Sequence, residues 1–203
     1  MSEPGAVGER PPHEPGHAAA VEHLDLDTLE GGLAVVLASP QDGGRVELIV
    51  RRPAVEQREL LEEATLDTEQ GLVGDCWSTR GSSSTPDGSA NRKHQLTLMN
   101  VRVAELVAGG RERVPLAGDQ LYVDLDLSAD NLPPGTRLAV GTAVVEISED
   151  PHLGCRKFMD RFGKDAHRFV NRKRERVLNL RGVNAMVVSG GVVRTGDVVR
   201  KLT

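Results

Sequence analysis

A short device recurs three times in the chain: a Gly-Asp pair beside an apolar run, at Gly74-Asp75, Gly118-Asp119 and Gly196-Asp197. Glycine takes the positive φ that a tight strand corner requires, and aspartate bonds back to nearby backbone amides. Recurrence of such corners makes the runs beside them strands of one barrel. The runs themselves agree. Val46-Glu47-Leu48-Ile49-Val50 is β-branched and stops before Pro53, and His94-Gln95-Leu96-Thr97-Leu98-Met99 reads as a buried strand. From Val123 to Leu127 apolar and acidic residues alternate, which places Asp124 and Asp126 on one face, either as paired acids or, as is commoner, on a solvated strand face. Arg137 to Val140 and Ala143 to Ile147 are joined at Gly141-Thr142. The chain finishes in Asn184 to Val188, Val192 to Arg194 and Val198 to Leu202, which reads as a three-stranded meander with tight glycine turns.

With 203 residues and 2% aromatic content, one domain with a core of Val, Leu and Ala is expected. Residues 1–22, with Pro4, Pro11, Pro12 and Pro15, have too little apolar surface to offset ordering entropy and read as a disordered leader. Residues 23–44 form an N-terminal helix and turn, because Leu26, Leu29, Leu33, Val36 and Leu37 recur at helical spacing after Asp25, despite Gly31 and Gly32. Residues 45–203 form the mainly β, barrel-like domain with short peripheral helices. A net charge of −5 argues against nucleic acid or an anionic membrane as partner of the whole protein. The one basic cluster that could suggest nucleic acid, Arg172 to Arg176, has only Phe169 beside it for base stacking. No run approaches the ~18 apolar residues of a membrane span, and the start has no secretory apolar core, so a cytoplasmic protein is expected. Cys76 and Cys155 lie far apart in sequence without a Cys-x-x-Cys pairing, which suits free thiols.

The chemistry concentrates between Asp150 and Phe162. Cys155 follows the turn formers Pro151 and Gly154 and precedes Phe158, Met159 and Phe162 at helical spacing. A thiol at a helix N-terminus beside Arg156, Lys157 and His152 meets positive potential that favours a reactive thiolate. The same spacing also suits a small buried hydrophobe packed with the two phenylalanines. From Arg156 to Arg176 nine Arg and Lys residues face three acids, either an anion site or a solvated basic face. His94 reads either as a ligand or as a structural histidine.

Taken together, Gly71-Leu72-Val73-Gly74-Asp75, His94-Gln95-Leu96-Thr97-Leu98, Pro151 to Cys155, and Arg181-Gly182-Val183-Asn184-Ala185 running on to Gly196-Asp197 resemble the MOSC domain. That family is named for the C-terminal domain of molybdenum cofactor sulfurases, and the resemblance covers about residues 45–202. It implies a β-barrel that handles sulfur, or that binds a molybdopterin-type molybdenum cofactor, through Cys155. Three roles follow: a sulfur carrier, a molybdenum-dependent reductase of N-hydroxylated compounds with Cys155 on the metal, or a non-catalytic cofactor-binding module. A sulfur donor or redox partner protein would accompany the first two. Arg156, Arg161 and Arg168, with His152 and Lys157 nearby, are the expected contacts to the cofactor phosphate. The family often has Gly-Glu-Asn-Leu where this chain reads Gly118-Asp119-Gln120-Leu121, which counts against a site role for Asp119 or Gln120. No aminotransferase-like region is recognisable, so pyridoxal phosphate is not expected and the chain resembles the stand-alone members.

Overall fold

Eleven strands and five helices occur among the residues described by the computed structural model, 23–82 and 84–202. The expected leader lies outside them. The strands are β1 (Gly44–Arg51), β2 (Glu59–Leu61), β3 (Glu63–Asp67), β4 (Gly71–Leu72), β5 (Leu96–Asn100), β6 (Leu121–Asp124), β7 (Arg137–Val140), β8 (Ala143–Pro151), β9 (Val183–Ser189), β10 (Gly191–Arg194) and β11 (Val198–Leu202). Seven of them close a barrel in the order β11-β7-β8-β9-β5-β6-β1, and Gly44 opposite Val199 joins its two ends. Closure removes the free edges that an open sheet would expose. β2 hangs from β1, and a small second sheet runs β10-β3-β4.

The ladders are antiparallel except for β5 with β6, whose parallel pairing requires a crossover. Helix α4 (Val101–Ala108) supplies it. Asn100 caps this helix by accepting from the Arg102 and Val103 amides, and Gly109, at φ 67°, ends it. β5 is buried on both faces: Leu96 and Leu98 point into the barrel core, while Met99 joins an outer apolar cluster. The barrel core is aliphatic, as the scarcity of aromatics requires. All three phenylalanines lie instead on α5 (Arg156–Val170) and pack outside the barrel with Tyr122 and α4.

Several expectations are corrected. The C-terminal strands do not form a meander. β9 pairs with β8 and β5, β10 leaves for β3, and β11 pairs with β7 and β1. Gly191 permits the departure, because a Cβ there would sit 2.6 Å from the backbone of Thr142. The single N-terminal helix is two, α1 (Leu26–Gly31) and α2 (Leu33–Leu37), meeting at Gly32 and burying Leu29 and Val36. Asp124 is not simply solvated, since Arg102 grips both its oxygens at 2.8 and 3.0 Å. His94 ends a 3-10 turn before β5 and is not part of the strand. No described helix is long and apolar enough to cross a membrane.

Candidate functional site

Cys155 is the N-cap of α5 and is exposed, so the buried-hydrophobe alternative does not hold. Phe158 and Phe162 fill the core below it with ring centroids 4.8 Å apart. What fixes the thiol is a fold in its own helix. A straight α-helix rises about 1.5 Å per residue, which would put His167 roughly 20 Å from Gly154. Yet His167 Nε2 lies 2.9 Å from the Gly154 carbonyl oxygen, and the Asn171 side chain bonds both the amide and the carbonyl of Gly154. The turn is made at Gly163, whose φ 89° and ψ 169° are essentially restricted to glycine. The second half of α5 thereby clamps the residue immediately before the cysteine.

Cys155 borders a cavity of about 400 Å³ at the barrel's end, within the size range of small-molecule sites. Its lining includes six cations, Arg52, Arg58, Arg80, Lys157, Arg161 and Arg181, against one carboxylate, Glu56. Asp75 and Asp119 neutralise Arg52 and Arg181 from behind the wall, so in this protein of net charge −5 the local positive excess rests on Arg58, Arg80, Lys157 and Arg161. Cys76, His94 and His152 also line it, which brings together two thiols that are 79 positions apart in the chain.

Two of the cations are built in. Arg52 makes a bidentate pair with Asp75 at 2.8 and 2.7 Å and donates to the Gly118 carbonyl at 2.9 Å. Burial works against the Arg52 charge, but the bonds and charge of Asp75 outweigh it and hold the guanidinium above its ordinary pKa. Arg181 is fixed by Asp119 at 2.7 and 2.9 Å, donates to the Ala117 carbonyl, and stacks 5.0 Å from the Phe158 ring centroid. Asp75 and Asp119 are the acids of two Gly-Asp corners, and Gly74 and Gly118 have φ of 83° and 89°. Asp119 thus positions a cavity residue despite departing from the family's Gly-Glu-Asn-Leu pattern. Gln120 does likewise, accepting from the amide and hydroxyl of Thr97, which lines the cavity.

His152 sits beside this pair, Nδ1 3.5 Å from Asp119. Burial and the adjacent Arg181 charge push its pKa down to about 3, outweighing Asp119, so the contact is not an ion pair at neutral pH. Its Nδ1 is buried without a hydrogen-bond partner, as are Arg58 Nε and Arg181 Nε. Buried polar atoms normally find partners, and all three of these residues face the one cavity.

Of the residues expected at the site, Cys155, His152, Lys157 and Arg161 line the cavity together. Arg156 instead bonds Asp160 on the exposed side of α5, and Arg168, beyond the Gly163 break, is exposed and does not line the cavity. Arg52, Arg58, Arg80, Arg181 and Cys76 were not expected at the site from sequence. Their signal was indirect: Arg52 stands before Pro53, and Arg181 opens the Arg-Gly-Val-Asn-Ala motif.

The closed barrel with a cation-lined cavity at the mouth of a cysteine-capped helix defines the class, and comparison places it. The family model described as MOSC domain matches residues 99–200. The chain belongs to the MOSC domain family. Its fold resembles that of the YuaD protein of Bacillus subtilis, at 18% identity over 78% of this chain and 94% of that one, with a TM-score of 0.57. YiiM of Escherichia coli is also similar in fold, at 18% identity over 78% of this chain and 70% of that one, with a TM-score of 0.51. No curated protein sequence matches.

Proposed function

We propose that this MOSC domain binds a phosphate-bearing pterin of the molybdenum-cofactor type in the 400 Å³ cavity, with Cys155 as the thiol presented to the bound group. The observation that carries the reading is the donor set: Arg58, Arg80, Lys157 and Arg161 line the cavity against Glu56 alone, while Arg52 and Arg181 are fixed in its wall by Asp75 and Asp119. Guanidinium and ammonium groups donate hydrogen bonds and accept none, so an anionic acceptor is the complementary ligand. Arg58, Arg161 and Lys157 would hold a phosphate, while Arg181 and Arg52, immobilised by their aspartates, would orient the group at low entropic cost. No cluster of three or more His, Cys, Asp or Glu able to hold a metal occurs among the described residues. A metal in this cavity would arrive on its own organic ligand, and Cys155 is the exposed soft donor beside it. Bound there, the cofactor would supply two-electron redox chemistry of the kind needed to reduce N-hydroxylated compounds. The protein's own residues would bind it, orient it and keep a neutral imidazole, His152, against it.

The test is expression in a host that makes molybdopterin, followed by molybdenum and pterin analysis of the purified protein. Both should be present near one equivalent, and Cys155→Ser should lose molybdenum while retaining the pterin. Protein free of both would contradict the reading. A second reading, sulfur carriage, draws on the exposure of Cys155, which leaves it open to a donor protein. Cyanide-releasable sulfur on pterin-free protein, lost in Cys155→Ser, would favour it.

A further inference from the structure

The one acid of the cavity lining, Glu56, stands in an unusual backbone position. Its φ is 64°, a left-handed conformation that a non-glycine residue adopts at some cost and that persists where surrounding contacts enforce it. The turn itself requires it, since Gln57 N donates to the Ala54 carbonyl at 3.1 Å and puts Glu56 at the third position, and the Glu56 carboxylate adds ionic contacts to it. One carboxylate oxygen bonds Lys157 at 2.9 Å and the other bonds Arg161, so the turn between Arg52 and β2 is tied across the cavity to α5. The hydrogen bond to Lys157 and then that to Arg161 hold the carboxyl at about 2, fully ionised at neutral pH. The same turn carries Ala54, Val55 and Arg58 along the cavity wall, and Val55 is left 65% exposed.

Charge near Glu56 is unbalanced. Arg58 and Arg161 both approach Gly118, at 3.5 and 3.8 Å from where its Cβ would be. Burial and then the Arg161 charge lower the Arg58 pKa, and no carboxylate lies within ion-pair distance of Arg58 among the described residues. Lys157 and Arg161 thus share one carboxylate, and Arg58 beside them has none. A ligand reaching Lys157 and Arg161 meets Glu56 already on them.

We propose that Glu56 is a resident competitor of the cavity's anionic ligand: it must be displaced for the ligand to bind, and this makes the cavity select dianions such as a phosphate monoester over monoanions. A monoanion would only exchange one carboxylate-like partner for another, whereas a dianion also meets the surplus charge around Arg58. Release of Glu56 frees its turn from α5. The inference rests on the reading that the cavity takes a phosphate-bearing ligand.

The experiment is calorimetric titration of the full chain with inorganic phosphate and with acetate, for the wild type, Glu56→Gln, Glu56→Gly and Arg161→Met. Exposed ion pairs are weak, so removing the competitor should tighten phosphate binding by up to about tenfold. Glu56→Gln should show that gain together with a narrower preference for phosphate over acetate, and Arg161→Met should bind more weakly than wild type. Glu56→Gly, which also removes the backbone strain, should tighten binding at least as much as Glu56→Gln. A gain with the glycine variant alone would assign the effect to the backbone and overturn the role of the carboxylate. Unchanged or weaker phosphate binding by Glu56→Gln, with Arg161→Met still weakening it, would overturn the proposal while leaving the anion cavity standing. No phosphate binding by either wild type or Glu56→Gln would overturn both.

Discussion

The cavity has two cation-bearing walls of different construction. On the barrel side, Arg52 and Arg181 are held by carboxylates that are fully buried, with side-chain exposures of 10% and 6% for the arginines themselves. On the helix side, Lys157 is 61% exposed and shares the half-exposed Glu56 with Arg161. Buried pairs resist separation because either partner left alone is an uncompensated charge in a poor solvent. Exposed pairs exchange readily with water and ligands. The barrel wall is therefore suited to orienting a bound group, and the helix wall to admitting and releasing one.

The largest expected effect lies on the barrel wall. Asp119→Ala strands the Arg181 guanidinium and should lower unfolding free energy by about 3–5 kcal/mol in denaturant titration. Adding Arg181→Met to it should recover most of the loss, and failure to recover would show that Asp119 acts through something other than this pair.

His152 belongs to the same wall and gives it a pH dependence. Its pKa is depressed in the folded state from an ordinary 6.5 to about 3, so the unfolded chain takes up a proton first as pH falls. The contribution is fully present above pH 6.5 and is lost toward pH 3, on the order of a few kcal/mol. Stability of His152→Gln should therefore fall less steeply than wild type across that window.

Gly163→Ala is expected to be smaller, about 1–3 kcal/mol, because alanine is strained at that φ and ψ. Its Cβ would also stand 2.9 Å from His23. It should slow alkylation of Cys155 or make it heterogeneous, since the clamp of His167 and Asn171 on Gly154 depends on the bend. Smallest of all, Lys157→Gln should leave the denaturation midpoint unchanged and reveal itself only in ligand binding. A large loss of stability there would erase the distinction between the walls.

The sequence revealed the two walls unequally, for a physical reason. The helix wall is local: Pro151, Gly154, Cys155, Phe158, Phe162 and Gly163 announce a turn, a cap, a buried stripe and a break within a few residues of one another. Lys157 and Arg161, one turn apart, share its cavity face, whereas the spacing of Arg156 turns it toward solvent. The barrel wall is non-local. Arg52 meets Asp75 across 23 positions and Arg181 meets Asp119 across 62, so only closure of the barrel puts them together. The Gly-Asp corners were legible as turns, but nothing local says that two of those aspartates turn inward to hold arginines, while Asp197 caps its own turn through the Arg194 amide. The final strands misled for a similar reason: consecutive runs with glycine between them look like hairpins, and their partners are set by the barrel's order.

The measurement that bears most directly on the cavity is a crystal structure of the protein purified from a molybdopterin-producing host. The account predicts density for a phosphate-bearing pterin inside the cavity, with Arg58, Lys157 and Arg161 donating to its phosphate and the Cys155 sulfur beside it. A protein carrying pterin and molybdenum elsewhere, with these donors solvated and Cys155 remote from the metal, would contradict it.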